Sequence, residues 1–336
     1  MRRLFLLSPL FLLLLGCERV QSTLYPAGPA AHRIATVSWF MIILFLVVIA
    51  IMWALIAIAV TKGKGTLEEH APVDMGGGHG WVAIGGLMIP GLILFALFVI
   101  GLQLLASFPI HSHGDANLRP EILITGHQWW WEVHYLNADA SKQATTANEI
   151  HIPSGRPVTI ELKSADVIHS FWVPALHGKV DLIPGHPNFV RVEAAHPGVF
   201  HGTCAEYCGA QHGHMRLLVI AQPPAEYKAW LQGQRKPAQE PTSPEAQMGE
   251  QVFLTGPCSM CHSIRGTVAG GRVAPDLTHI ASREYIAANS YRNNNANLEA
   301  WVTHAQSLKP EAQMPNLPDF DGQHLRALVA YLRQLQ

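Results

Sequence analysis

The chain has 336 residues, enough for two or more domains, and 49% of them are apolar while only 14% are charged. That composition excludes a disordered chain, and 23 Lys and Arg against 24 Asp and Glu leave a net charge of −1, which excludes a basic footprint for nucleic acid. A mean hydropathy of +0.16, in a chain that still carries 19 His and long polar stretches, predicts membrane segments joined to water-soluble domains.

Residues 1–16 have the plan of a signal peptide: Arg2 and Arg3, an apolar run, then Gly16 before Cys17. The quartet Leu14-Leu15-Gly16-Cys17 resembles a bacterial lipobox, which implies lipidation of Cys17; an ordinary signal peptide with an incidental cysteine is the plainer reading. Both put the mature amino end outside the cytoplasm. Within 37–60 the one polar residue is Ser38, and within 81–108 Gln103 and Ser107 are the polar pair. Each run exceeds the roughly 20 residues needed to cross ~30 Å of hydrocarbon. A two-helix transmembrane hairpin over 33–108 is predicted, with the loop 61–80 cytoplasmic and everything beyond 109 on the outer, periplasmic face of a bacterial inner membrane.

After the membrane come short β-rich runs broken by Gly and Pro, at 121–125, 130–136, 149–152, 158–162, 189–193 and 215–220. They predict an all-β sandwich or barrel over 109–221. Its chemistry is concentrated in one loop, where Cys204, Cys208, His212 and Met215 follow one another closely. Thiolate, imidazole and thioether form the ligand set of a cupredoxin copper site, and a second thiolate could bridge a pair of coppers. His169 supplies a second imidazole from an earlier strand. Two Cys and two His would also satisfy zinc, but zinc has no use for the methionine. A Cys204–Cys208 disulfide leaves His169, His212 and Met215 unexplained.

The segment from about 33 to 221 resembles subunit 2 of haem-copper cytochrome c oxidases. The resemblance is carried by Gly126-His127-Gln128-Trp129-Trp130-Trp131, Asp166-Val167-Ile168-His169-Ser170-Phe171-Trp172-Val173-Pro174, Lys179-Val180-Asp181-Leu182-Ile183-Pro184-Gly185 and the cysteine loop. It implies a cupredoxin-like domain with a binuclear copper centre, CuA, held by His169, Cys204, Cys208, His212, Met215 and the backbone carbonyl of Glu206. The Glu206 carboxylate is implied to reach a magnesium ion at the interface with the catalytic subunit. Trp129 falls where electrons arrive from a cytochrome. One departure stands out: Trp81 or Ala83 occupies the place of a glutamate that in many members feeds protons to the catalytic subunit. Glu68, Glu69, Asp74 and His79 in the preceding loop read as solvated polar residues.

Residues 222–243 are rich in Pro, Gln and Ala, with a helical piece around 227–231, and read as a linker or docked tail. In the last segment, 244–336, Cys258-Ser259-Met260-Cys261-His262 is the attachment motif of c-type haem: two thioethers and a proximal imidazole. Met314, before Pro315, resembles the distal methionine of class I cytochromes c, and Pro275 the residue whose carbonyl accepts the imidazole proton. His279 and His304 are weaker candidates for the distal side. Gly249 and Phe253 on one helix and Leu328, Tyr331 and Leu332 on the closing helix form apolar faces able to cross near a haem edge. An all-α cytochrome c domain is expected.

The cysteines thereby divide into one lipid anchor, two copper-bridging thiolates and two haem thioethers. The whole is expected to be a multidomain membrane protein, the electron-input subunit of a respiratory haem-copper terminal oxidase. Electrons would pass from an external donor, a cytochrome c or a quinol-oxidising complex, through haem c and the copper pair to catalytic subunit 1. That partner, with further oxidase subunits, reduces O2 and translocates protons; this chain holds no complete catalytic centre. Two alternatives use the same residues: a subunit of a nitric oxide reductase, and a stand-alone membrane-anchored electron carrier.

Overall fold

The computed structural model describes residues 21–62, 78–108, 119–318 and 320–336. The leader, Cys17 and the stretch carrying Glu68, Glu69 and Asp74 lie outside the described residues. The chain divides into two units, a helical one over 33–110 and a larger one comprising 1–32 and 111–336.

The helical unit is built on α1 (Pro29–Lys62) and α2 (Gly78–Ser107), both long and apolar enough to cross a membrane. They are apolar on all sides and expose large side chains such as Phe45, Trp53 and Phe95, as a surface meant for lipid does. The second changes pitch: Val82–Met88 is π-helical before the α-helix resumes over Ile89–Ser107. Pro90 lies in the first turn of that resumed helix. Its ring and missing N–H are incompatible with a continuous α-helix, and the widened turns just before it accommodate both.

The larger unit opens with a β-sandwich. One sheet has the order β3-β2-β1-β5-β8, made of β1 (Ile122–His127), β2 (Trp130–Tyr135), β3 (Ala144–Ala147), β5 (Val158–Ser164) and β8 (Asn188–Val192). The other has the order β4-β10-β9-β6-β7, from β4 (Glu149–Pro153), β6 (His169–Trp172), β7 (Val180–Leu182), β9 (Gly198–Cys204) and β10 (Arg216–Gln222). Strands β1, β2 and β5 alternate buried and half-buried positions, the period-2 pattern of a sheet with one face inward. Trp131, Ile124, Leu162, Phe171 and Leu217 fill the space between the sheets. The six runs read from sequence leave out β3, β6, β7 and β9, which are short or carry Gly, Ser, Thr and His in place of an apolar alternation.

Helix α3 (Pro224–Gln234) lies within the stretch read as a linker and packs on this sandwich. Trp230 stacks on His151 at 3.8 Å between ring centres and meets Tyr135 edge-on at 5.1 Å. The last part of the chain is helical, with α4 (Pro244–Thr255), a single turn α5 (Cys258–Cys261), α6 (Asn295–Leu308) and α7 (Gly322–Leu332). Side-chain oxygens of Ser243, Asn294 and Asp321 cap the three longer helices by accepting from free first-turn N–H groups. Helices α4 and α7 cross at Gly249, where any Cβ would collide with the Ala327 carbonyl. That close approach brings Phe253 and Tyr331 together, 6.0 Å between centroids, in the helical core. The layout of two apolar helices, a cupredoxin-like sandwich and a helical cytochrome c domain is the one expected.

Candidate copper and haem sites

The loop between β9 and β10 is closed at its base by the Cys204 N–H donating to the Met215 carbonyl, 2.9 Å. A 3-10 turn, His212–His214, folds the middle back on itself. This places every sulfur and imidazole singled out in the loop at one point. The Cys204 and Cys208 sulfurs are 3.8 Å apart, far beyond the ~2.05 Å of a disulfide. His212 Nδ1 is 3.7 Å and Met215 Sδ 3.8 Å from Cys208 Sγ. On the other side, the Glu206 carbonyl is 3.2 Å and His169 Nδ1 4.0 Å from Cys204 Sγ. Strand pairing sets the last of these, because Phe171 on β6 lies opposite Cys204 on β9 and His169 is two residues along on the same face. His169, Cys204, Cys208 and Met215 are all buried.

The Cys208 sulfur beside it holds the Cys204 thiol well below the usual thiol range, and the Cys204 sulfur in turn pushes Cys208 up. A metal that takes both as thiolates therefore displaces a proton.

A set of polar contacts that the residue pattern did not reveal orients this cluster. Asp166 Oδ1 accepts from His169 Nε2 at 2.7 Å, leaving Nδ1 for the site. Its Oδ2 accepts from the Gln128 N–H at 2.7 Å. Gln128 Nε2 and Trp129 Nε1 both donate to the Cys208 carbonyl, at 2.7 and 2.9 Å. Trp129 is thus buried against the cysteine loop. Gly209 makes room for it: its φ is +115°, and a Cβ there would lie 2.9 Å from the indole. Glu206 points elsewhere, its carboxylate accepting from Lys179 Nζ at 3.2 Å, and the same ammonium reaches Asp181 at 3.1 Å.

In the helical domain a cavity of about 300 Å³ is lined by Cys258, Cys261, His262, Pro275 and Met314. His262 Nδ1 lies 2.7 Å from the Pro275 carbonyl, which fixes the ring and leaves Nε2 free. Burial lowers the pKa of this imidazole, favouring the neutral, ligating form. His279 has Nδ1 on the Gln336 carbonyl (2.7 Å) and Nε2 on the Lys236 carbonyl (3.2 Å), and neither it nor His304 is among the residues lining the cavity, whereas Met314 is. Arg283 is buried in the cavity wall and its Nε has no partner among the described residues. A buried guanidinium in the wall of a cavity suits a carboxylate-bearing prosthetic group. Gln128, Trp129 and Trp130 of the sandwich line the same cavity. No periodicity or motif could have indicated Arg283, or that the cavity is shared.

Comparison with known proteins agrees with both halves. The family model "Cytochrome C oxidase subunit II, periplasmic domain" matches residues 135–222, and the model "Cytochrome c" matches 246–336. Cytochrome c oxidase subunit 2 of Alkalihalophilus pseudofirmus is 38% identical over 98% of this chain and 96% of its own length. The Bacillus subtilis protein of the same name is 27% identical over 100% of this chain and 98% of its own. A solved structure, the periplasmic domain of subunit II of cytochrome oxidase of Bradyrhizobium japonicum, aligns with 29% identity and a TM-score of 0.32, covering 34% of this chain and 91% of that one. The nitric oxide reductase reading gains nothing from these matches. With a copper-type domain, a haem c-type domain and two membrane-anchoring helices, the chain belongs to the cytochrome c oxidase subunit 2 family, as an electron-input subunit of a haem-copper oxidase.

Proposed function

We propose that the cysteine loop holds a binuclear copper centre, CuA. Its ligands are His169 and His212 through Nδ1, the thiolates Cys204 and Cys208, Met215 Sδ and the Glu206 carbonyl. The observation that carries this reading is the sulfur pair 3.8 Å apart with each remaining donor within 4.0 Å of one or other sulfur. In the helical domain Cys258 and Cys261 carry the haem thioethers, with His262 Nε2 and Met314 as axial donors and Arg283 opposite a haem carboxylate. When bound, both groups supply one-electron redox chemistry with little change of ligand geometry. The protein's part is to hold the donors rigid and dry. Asp166 fixes His169, the Pro275 carbonyl fixes His262, and the burial of His169, Cys204, Cys208 and Met215 keeps water from the copper donors. Trp129 is the residue at which an electron arrives from the haem side, since its indole donates to the Cys208 carbonyl and the residue is also part of the haem cavity lining.

The domain limits that follow are 1–16 leader, 33–108 hairpin, 109–221 copper domain, 222–243 linker and 244–336 cytochrome domain, with Cys17 lipidated. Both redox domains lie on the periplasmic face of the inner membrane. Catalytic subunit 1, further oxidase subunits and membrane lipid surround them, and a cytochrome c or a quinol-oxidising complex reduces the haem; O2 reduction in the complex drives proton translocation. Magnesium at Glu206 requires Lys179 to give up its contact with that carboxylate. Low-temperature electron paramagnetic resonance with a copper count, on the full chain, tests the centre. Two coppers sharing one unpaired electron are expected; a single-copper spectrum or bound zinc overturns the assignment.

A further inference from the structure

We propose that Lys309 is the positioning residue of a two-point clamp, with Glu149 as its second point, that docks the cytochrome domain on the copper domain so that the haem cavity opens on Trp129. The inference rests on the copper and haem reading above. Lys309 follows directly on α6 and is 4% exposed. Its Nζ donates to the Trp129 carbonyl (2.7 Å) and the His214 carbonyl (3.1 Å) of the copper domain, and to the Ala287 carbonyl (3.3 Å) of its own. An ammonium has three N–H donors, and all three are used. Burying that charge is costly unless each donor is satisfied, so this arrangement belongs to the docked state alone. The gripped carbonyls frame the copper site: Trp129 leans on Cys208, and His214 precedes Met215.

The second point lies farther along the same contact. Glu149, the buried first residue of β4, accepts through Oε1 from the Glu284 N–H at 2.8 Å and the Tyr285 N–H at 3.4 Å. Between the two points, Ala287, Ala288 and Asn289 have φ of 53°, 56° and 59°. Three consecutive non-glycine residues in the left-handed region persist only where their surroundings impose it. The copper domain does so: the Arg216 N–H donates to the Ala288 carbonyl (3.3 Å), Asn289 Nδ2 to the Asn148 carbonyl (3.4 Å) and Ser290 Oγ to the His214 carbonyl (3.4 Å). Long-range attraction cannot replace these contacts. Residues 241–336 carry 7 basic and 8 acidic side chains, net −1, and 109–221 carry 7 and 10, net −3. With haem and copper bound, the contact would serve transfer of a single electron, supplied by the external donor, from the haem site held by His262 to the copper site held by the cysteine loop, with no atom transferred. Its rate falls steeply with separation, so holding the two domains together sets it.

The test is Lys309→Met in the purified oxidase complex, with flash photoreduction of the haem followed at the copper band, and amide exchange measured on the same samples. Haem and copper spectra are expected to match wild type, haem-to-copper transfer to slow about tenfold or more, and exchange at 284–290 to rise. Unchanged transfer and exchange overturn the clamp, whereas a wild-type complex lacking the two-copper signal overturns the reading beneath it. Glu149→Ala, which leaves both metal sites untouched, is the second variant should Lys309→Met fail to assemble. It is expected to change both readouts in the same direction, and no change again overturns the proposal.

Discussion

The two redox sites are built by opposite means. In the copper domain the candidate donors converge, because the β9–β10 hairpin and the β6 pairing hold the loop. In the cytochrome domain the donors instead ring a cavity of about 300 Å³, in a segment with a small apolar core. The difference teaches that one site is a property of the backbone ladder, while the other needs its prosthetic group as part of its core.

The largest expected effect follows from that contrast. Without its prosthetic group a cavity of about 300 Å³ stands where this small domain would have its packed interior. Cys258→Ala with Cys261→Ala should therefore leave 244–336 open to limited proteolysis while the sandwich stays resistant. A protected, haem-free cytochrome domain would break the comparison. Stripping copper with a chelator is expected to do far less, raising amide exchange within 205–214 but not in β4, β9 or β10.

Smaller changes sharpen the contrast. If the proposed ligand sets hold, Met314→Leu would remove an axial donor and lower the haem potential with an altered absorption spectrum, while Met215→Leu would retain copper with a shifted potential; redox titration separates them. Gly209→Ala places a side chain at φ +115° against Trp129 and should cost about 1–3 kcal/mol, read as a lower urea midpoint.

An effect of similar size but opposite sign concerns Glu149, whose carboxyl burial pushes up to about 7 from its ordinary 4.5. Between those values the folded protein keeps a proton that the unfolded chain has lost, so stability falls as pH rises from about 4.5 to 7 and is level above. Glu149→Gln keeps an accepting oxygen without the charge. It should flatten that profile and gain about 1–3 kcal/mol at pH 8, measured by urea unfolding.

Much of this was legible from residues alone, for identifiable reasons. Haem attachment needs Cys258, Cys261 and His262 adjacent in sequence, and four of the copper-site side chains fall within twelve residues, so covalent spacing reveals them. Spans 37–60 and 81–108 are legible because lipid tolerates few polar side chains. Strand β9 was not, since Gly198, His201, Gly202 and Thr203 break the alternation and the strand forms through its neighbours β10 and β6.

Sequence by itself determined the chemistry: which sulfurs, imidazoles and apolar runs the chain carries, and hence copper, haem and membrane as its associations. Tertiary structure alone decided how those parts are held. Asp166 ties His169 to Gln128 across 38 residues, Trp129 closes on Cys208 across 79, and Lys309 reaches Trp129 across 180. Ligand types are local and follow from side-chain chemistry. Orientation and docking depend on hydrogen bonds between distant segments, most of them to backbone carbonyls and N–H groups, which every residue offers and no sequence pattern marks.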